Sequence, residues 1–399
     1  MRRQRRLPIS LLAVATVAAL TACGSGGGDT GSGGDGGSTV VIGDNDSFSG
    51  AYSAYGLAGQ AGVKMAIDDI NAAGGFTIGG KKYTLRLDAK DNRSDPTVAA
   101  TQTTALIRDD QAKVIFGPTV GVTAGPTVPL TQAQKVLQLS PASILEKSLT
   151  PDLVTGSNKW LFHNLIDEPT ISKYFVQGMK QYLPTAKKIA ILYPNDSNSS
   201  FILPIATKAL TDAGYEVSQT LYPSGTTDFT SYLTSVKNSH PDVLWLSYVL
   251  GDAQAQLKAA NDLKAAPAFA GWNLAPSIAD SAPASPLYLL FNTRQPYAAT
   301  TPQAADFFTK LKAASGGTMP QLAGQALWYY DYVFMLVDAM KVANSTTDTT
   351  AIAAALQKTT RDGVLGKISW DPVHTARHSV DVALVQNGKV DAKALDDGQ

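Results

Sequence analysis

From Thr39 onward, short runs of β-branched and aliphatic residues alternate with stretches whose apolar positions recur every three to four residues. Val40-Val41-Ile42, residues 83–87, Val114-Ile115-Phe116 and Val136-Leu137-Gln138-Leu139 have the length and composition of buried strands. Between the first two, Val63, Ala66, Ile67 and Ile70 share one helical face while Lys64, Asp68 and Asp69 turn away, and Gly74-Gly75 ends the helix. Residues 96–110 predict a second helix, and another helical stretch ends near Leu130. After a break at residues 164–169 the pattern restarts, with strands at 189–192, 217–222, 243–246 and 268–271 and helices at 201–213, 229–237 and 253–264. Later helices are expected at 322–342 and 350–359, and a late strand at 380–385. Such alternation predicts parallel sheets covered by helices on both faces. The restart predicts two α/β lobes, and the groove between lobes is where small-molecule sites usually form. Residues 39–399 also outrun what one hydrophobic core supports.

The N-terminal end reads as an address. Arg2, Arg3, Arg5 and Arg6 precede an uncharged, largely apolar run over residues 7–22, a charged segment and apolar segment in the order of an export signal. The run is shorter than the roughly 20 residues a membrane-spanning helix needs. It closes in Leu20-Thr21-Ala22-Cys23, which resembles the bacterial lipobox. That resemblance implies cleavage before Cys23, lipidation of its thiol, and attachment to the cell membrane on the extracytoplasmic face. Cys23 is the single cysteine, so an internal disulfide is impossible. Residues 24–38 contain only Gly, Ser, Thr and Asp and bury nothing, a flexible tether spanning roughly 20 Å.

Charge narrows the partners. The 33 basic residues balance 33 acidic ones, but four of the arginines sit in the export signal, so the remainder is mildly acidic. Without a Lys/Arg cluster, nucleic acid is not an expected partner. The apolar stretch 326–340 is short and interrupted by Asp331 and Asp338, which predicts a buried helix rather than a membrane span.

Several landmarks, taken in order, resemble the type I periplasmic binding proteins of the branched-chain amino-acid group, which serve ABC importers. They are Ser47-Phe48-Ser49-Gly50 with Tyr55-Gly56, the helix end Ala66-Ile67-Asp68-Asp69-Ile70-Asn71 with Gly74-Gly75, and Asp91 with Asp95-Pro96. Val114-Ile115-Phe116-Gly117-Pro118, Ser140-Pro141-Ala142-Ser143, Thr227-Asp228-Phe229, Tyr330-Asp331 and Ser369-Trp370-Asp371 continue the series to about residue 390. The resemblance implies two Rossmann-like lobes joined by three crossovers near Asn164, Asn292 and Asp371, closing on a ligand like a flytrap. Lobe 1 would comprise residues 39–164 and 293–370, and lobe 2 residues 165–292 and 371–399, after a signal at 1–22 and a lipidated tether at 23–38. It further implies a monomer without catalysis or cofactor, delivering a small polar solute to permease subunits. A lipid-anchored sensor on the same fold is the alternative.

By the same resemblance, the turn Gly117-Pro118-Thr119-Val120-Gly121 holds a ligand carboxylate through Thr119, Val120 and Gly121, with help from Ala142 and Ser143. Free N–H groups where a helix begins favour an anion. Ser49 and Tyr55 are retained. Asn198 replaces an aromatic residue of lobe 2, and either Tyr248 or Val249 occupies another aromatic position. Phe48 and Trp272 could flank an apolar ligand part. Asn273 stands where the family places the acidic residue that receives the ligand's ammonium, and an amide cannot neutralise a buried cation. Unless Asp46 or Asp252 takes over, leucine, isoleucine and valine are expected to bind weakly, and an amide, a urea-like molecule or a carboxylate without a free α-amino group is expected to bind better.

Other motifs fail. Asp44 and Asp46 begin something like a calcium loop, but its sixth position is Ser49 and its twelfth Tyr55, not Gly and Glu. His374 and His378, four apart beside Pro372, read as a solvated pair rather than metal ligands. No Gly-x-Ser-x-Gly elbow or phosphate-binding loop occurs.

Overall fold

The computed structural model describes residues 38–148, 158–298 and 301–395. The export signal, Cys23 and the tether as far as residue 37 lie outside the described residues. Strands β1 (Ser38–Asp46), β2 (Phe76–Ile78), β3 (Lys81–Asp91), β4 (Val114–Phe116), β5 (Leu137–Ser140) and β6 (Leu161–His163) build the first sheet in the order β2-β3-β1-β4-β5-β6. All neighbours are parallel except the β2–β3 hairpin. Every residue of β4 and β5 is buried, the outcome for a central parallel strand covered on both faces.

Helices α1 (Ser53–Ala72), α2 (Pro96–Arg108), α3 (Gly121–Ala124) and α4 (Val128–Ala133) connect these strands. Val63, Ala66, Ile67 and Ile70 of α1 are buried as their spacing predicted, and Gly74 and Gly75 end it at φ +95° and +79°. Helix α2 starts where Asp95 accepts the N–H groups of Thr97 and Val98, with Pro96 in its first turn.

The second sheet is built from β7 (Lys188–Pro194), β8 (Glu216–Tyr222), β9 (Val243–Trp245), β10 (Ala268–Trp272) and β11 (Leu287–Phe291), all parallel. Their covering helices are α5 (Glu168–Tyr182), α6 (Ser197–Asp212), α7 (Thr230–Asn238) and α8 (Leu250–Leu263). The chain then returns with α9 (Pro302–Ala314), α10 (Tyr330–Val342) and α11 (Thr349–Leu356), and a small sheet β12 (Arg361–Gly363), β13 (Gly366–Trp370) and β14 (Ala376–Arg377). Finally β15 (Val380–Gln386) and β16 (Lys389–Leu395) add to the second sheet antiparallel, giving the order β16-β15-β11-β10-β9-β7-β8. The fold is two α/β lobes with mostly parallel sheets, the class the alternating pattern predicted.

The chain passes between the sheets three times: after β6, after β11, and between β14 and β15. The third passage falls after Arg377, later than Asp371, because Ser369 and Trp370 pair with Arg377 and Ala376 and hold that segment to β13. The helix expected over 322–342 is also divided. A tight 3-10 turn, Ala323–Trp328, precedes α10 because α1 presses against it. A side chain at Gly62 would sit 1.8 Å from the Ala326 carbonyl oxygen. Asp331 inside α10 is fully buried but paired, accepting from Arg361 Nε at 3.3 Å and Leu365 N–H at 3.0 Å.

The two histidines are not solvated. His374 stacks on Phe162 with centroids 4.1 Å apart and bonds the Leu161 carbonyl through Nδ1 at 2.9 Å. His378, equally buried, lies 2.9 Å through Nδ1 from the Ser379 carbonyl. The small sheet's edge carries both back against β6, and burial moves both pKa values down. Among the described residues there is no cluster of His, Cys, Asp or Glu able to hold a metal, and no helix long and apolar enough to cross a membrane.

Candidate functional site

One cavity of about 70 Å³ opens where the C-terminal ends of both sheets face each other, the position where open α/β sheets take ligands. Its lobe 1 wall begins at the turn after β4. Gly117 holds φ +86°, and a side chain there would lie 2.6 Å from the Asn45 carbonyl, so the turn requires glycine. Gln138 Nε2 donates to the Gly117 carbonyl at 3.0 Å and the Ser140 hydroxyl to that of Pro118 at 2.6 Å. The peptide between Gly117 and Pro118 is cis. Thr119 lines the cavity, yet its N–H donates to Asp46 Oδ1 at 3.2 Å and its hydroxyl to Asp46 Oδ2. Val120 and Gly121 follow, and Gly121 opens α3 with an N–H that has no carbonyl one turn back to bond.

Ala142 and Ser143 complete that wall. Ala142 N–H is turned to the Ser140 hydroxyl at 3.2 Å, and Ser143 begins the 3-10 segment Ser143–Ser148. Tyr55 of α1 reaches across and donates its hydroxyl to the Tyr248 carbonyl on lobe 2. Its ring lies nearly parallel to that of Trp328, at 6.0 Å and 13°.

Lobe 2 contributes Asn198, Ile202, Tyr248, Trp272 and Asn273. Asp196 caps α6 by accepting Ser199 N–H at 2.8 Å and also receives the Tyr248 hydroxyl at 2.6 Å. One carboxylate thus ties the start of α6, which carries Asn198, to Tyr248. A side chain at Gly121 would lie 2.7 Å from Asn198 Oδ1, so the lobes meet here closely. Asn273, at φ +51°, uses its side-chain oxygen to accept Asn292 N–H at 2.9 Å, and Gln325 Nε2 reaches its carbonyl at 3.4 Å. It stitches the second crossover and leaves only its amide N–H group for a ligand.

The structure gathers Tyr55, Thr119, Val120, Gly121, Ala142, Ser143, Asn198, Tyr248 and Asn273 around this space, together with Trp272. Ser49 and Val249 are not among the lining residues. The Ser49 hydroxyl, at the surface, donates to Asp91 Oδ2 at 2.7 Å, and this and neighbouring N–H bonds hold the Asp91 pKa down although burial opposes them. Val249 is packed in the core and precedes α8, its N–H turned to Ser247 Oγ at 3.1 Å. Of Tyr248 and Val249, Tyr248 is the one that lines the cavity. Asp46 and Asp252 do not line the cavity either. Asp46 is consumed by Ser47, Thr119 and Tyr329, and Asp252 accepts the Tyr222 hydroxyl at 2.7 Å. Burial raises both.

Sequence reasoning passed over Leu165, Glu168, Ile202, Asn292 and Trp328, all of which line the cavity. The helix-start signal Asp167-Glu168-Pro169-Thr170 was the available clue to Glu168, because Asp167 accepts Thr170 N–H and caps α5. Glu168 is 1% exposed and its Oε2 has no hydrogen-bond partner. Burial pushes its carboxyl up to about 7, against the Ser143 side chain beside it.

Comparison with known proteins places this geometry. The periplasmic binding protein family's sequence model matches residues 39–389. A Leu/Ile/Val-binding protein homologue of Brucella abortus is 27% identical over 233 residues, 56% of this chain and 55% of that protein. A leucine-, isoleucine-, valine-, threonine- and alanine-binding protein of Pseudomonas aeruginosa is 23% identical over 206 residues, 50% of this chain and 51% of that one. The chain thus spans about half the length of the curated relatives it matches. The crystal structure of a leucine-binding protein from Thermotoga maritima superimposes with a TM-score of 0.76 at 23% identity, over 90% of this chain and 99% of that one. A solute-binding protein of an ABC transporter from R. palustris, in complex with benzoate, gives 0.74 at 17% identity over 90% and 98%.

Proposed function

We propose, for a chain that belongs to the periplasmic binding protein family, that it captures a small polar solute between its lobes and hands it to the permease of an ABC importer. The observation that carries this reading is a cavity walled from both lobes and bridged by the Tyr55 hydroxyl and the Tyr248 carbonyl. A site split between two hinged bodies binds its ligand fully only when they close. The cavity is equipped to hold rather than to transform. No His or Lys lines it among the described residues, and the Thr119 hydroxyl is already committed to Asp46.

The ligands in the relatives' names, branched-chain amino acids and, for one structural neighbour, benzoate, share a carboxylate and an apolar body. Here the carboxylate would meet the N–H groups at Val120 and Gly121. The apolar body would lie among Tyr55, Trp328, Leu165 and Ile202. We read Cys23 as the lipid-bearing N-terminus that keeps the protein on the extracytoplasmic face, with the residues from 24 up to the start of β1 at Ser38 as its tether. The test is made in a host lacking the gene. The intact protein should fractionate with membranes, yield a bound small molecule by mass spectrometry after native purification, and restore uptake of that molecule. Cys23→Ser should leave the membrane fraction and restore little uptake. Retention of both membrane attachment and correct cleavage by Cys23→Ser would end the anchor reading. Uptake independent of the protein would end the transport reading.

A further inference from the structure

Glu168 is the one charged side chain lining the cavity among the described residues. It enters from α5, a different element from the one carrying Asn273. It is 1% exposed and its Oε2 has no partner, although a buried polar atom ordinarily has one. Among the described residues no cation is paired with it. Within the 3-10 segment Ser143–Ser148, the Ser143 hydroxyl hydrogen-bonds its carboxyl without bringing a charge, and Glu146, a buried carboxyl of like charge, accepts its backbone N–H through Oε1 at 2.9 Å. From β6, His163 Nδ1 lies 3.8 Å from Glu146 Oε1 and burial holds that imidazole down to about 4, so it is neutral. On its own helix cap, Asp167 adds like charge, and it engages the Arg377 guanidinium, which also reaches Asp371. Tyr193 of β7, its hydroxyl buried and un-ionised, faces it from the second sheet. A carboxylate there is left to be neutralised by a proton or by the ligand.

We propose that Glu168 is the charge acceptor of the cleft, its carboxylate meeting a cationic nitrogen of the solute, the role that Asn273 cannot perform. This rests on the reading of the cavity as a solute site and names the class of solute: a zwitterion or amine, not an acid alone. Asn273 by itself argues for a ligand without a free amino group, and Glu168 reverses that balance. The acid's proton leaves for solvent as the ligand's ammonium, which keeps its own proton, takes its place. Affinity therefore rises with pH while Glu168 is protonated in the empty cleft, and levels off once it is ionised above about 7.

The experiment is isothermal titration of the purified protein and of Glu168→Gln. The probes are the twenty standard amino acids, the des-amino acid and the decarboxylated amine of any that binds, and benzoate. An amino acid should bind at least about a hundredfold more tightly than its des-amino counterpart, the usual scale for a buried charge losing its partner. Below pH 7, titration in two buffers of different ionisation enthalpy should show proton release. In Glu168→Gln, affinity for the amino acid should fall about a hundredfold, the pH slope should vanish, and the des-amino acid should bind at least as well as before. Benzoate or a des-amino acid binding as tightly as any amino acid, unaffected by Glu168→Gln, overturns the charge-acceptor role while leaving solute capture standing. If the thermal midpoint of the variant shows it misfolded, Glu168→Ala replaces it, and an unchanged pH slope and selectivity there also overturn the role.

Discussion

Gly121 has no side chain because the opposite lobe occupies the space. A methyl group there would sit 2.7 Å from both Asn198 Oδ1 and Ile144 Cγ2. Asn198 belongs to the other lobe and Ile144 to the same one, so the methyl opposes closure as well as packing within lobe 1. Gly121→Ala should therefore weaken solute binding about tenfold or more, at a cost of roughly 1 kcal/mol to the ligand-free fold. Titration calorimetry beside thermal unfolding checks this; equal losses in both would mean that the contact is only core packing. At this scale the sequence was most legible where backbone form decides the role. The turn from Gly117 to Gly121 stands out by its glycines and proline, and its residues Thr119, Val120 and Gly121 line the cavity. Ser49 misled because a hydroxyl near a strand end looks the same whether it faces a ligand or, as here, ties a loop to Asp91. Glu168 was missed because a glutamate in a helix's first turn reads as ordinary dipole complementarity. Only the crossover, which is invisible to periodicity, brings it under the cleft.

At the scale of elements, the strands with continuous apolar runs appeared where the pattern put them, since full burial leaves little choice of face or structure. Most of the misses are amphipathic or short; the exception is β11, an apolar run buried throughout that follows the strand at which the pattern seemed to close. Helix α5 follows a break that looked like loop, yet Asp167 caps it and Pro169 fits its first turn. Edge strand β2 alternates buried and exposed residues over only three positions, and β16 buries no residue fully, both weaker signals than an apolar run. The cap of α5 can be tested directly. Asp167 is half-buried, and burial would raise its pKa, but the Thr170 N–H and the Arg377 guanidinium outweigh that and hold it below the usual carboxylate value. A carboxylate depressed in the folded state adds stability above its unfolded pKa near 4, and that stability is lost as pH falls through the folded value. Asp167→Ala should lower stability by about 1–2 kcal/mol at pH 7, the range for a lost cap plus a partly exposed ion pair. The deficit should shrink below about pH 4. Thermal midpoints at pH 7 and pH 3 decide it, and a deficit of the same size at both would reject the electrostatic part of this account.

For the whole molecule, the inter-lobe contacts define which end of the hinge motion the structure represents. Tyr55 bonds across to the Tyr248 carbonyl, Gly121 abuts Asn198, and the Asp167–Arg377 pair ties the start of α5 to the end of β14 at the passages between sheets. These contacts belong to a closed cleft. A solute bound only by the closed form stabilises it by about 2.7 kcal/mol at a hundred times its dissociation constant. A ligand-free sample free to open should therefore have a larger radius of gyration by small-angle scattering than the same sample with solute. Tyr55→Phe separates closure from binding chemistry, because it removes one neutral hydrogen bond made only across the closed cleft while keeping the ring against Trp328. Such a bond contributes about 1 kcal/mol, so affinity should fall roughly fivefold. The saturated variant should still reach the compact radius, and the ligand-free variant should unfold at nearly the wild-type temperature. If solute leaves the wild-type radius unchanged at saturation while still raising its thermal midpoint, the lobes bind without closing, and the Tyr55–Tyr248 contact is a fixed strut rather than part of a latch.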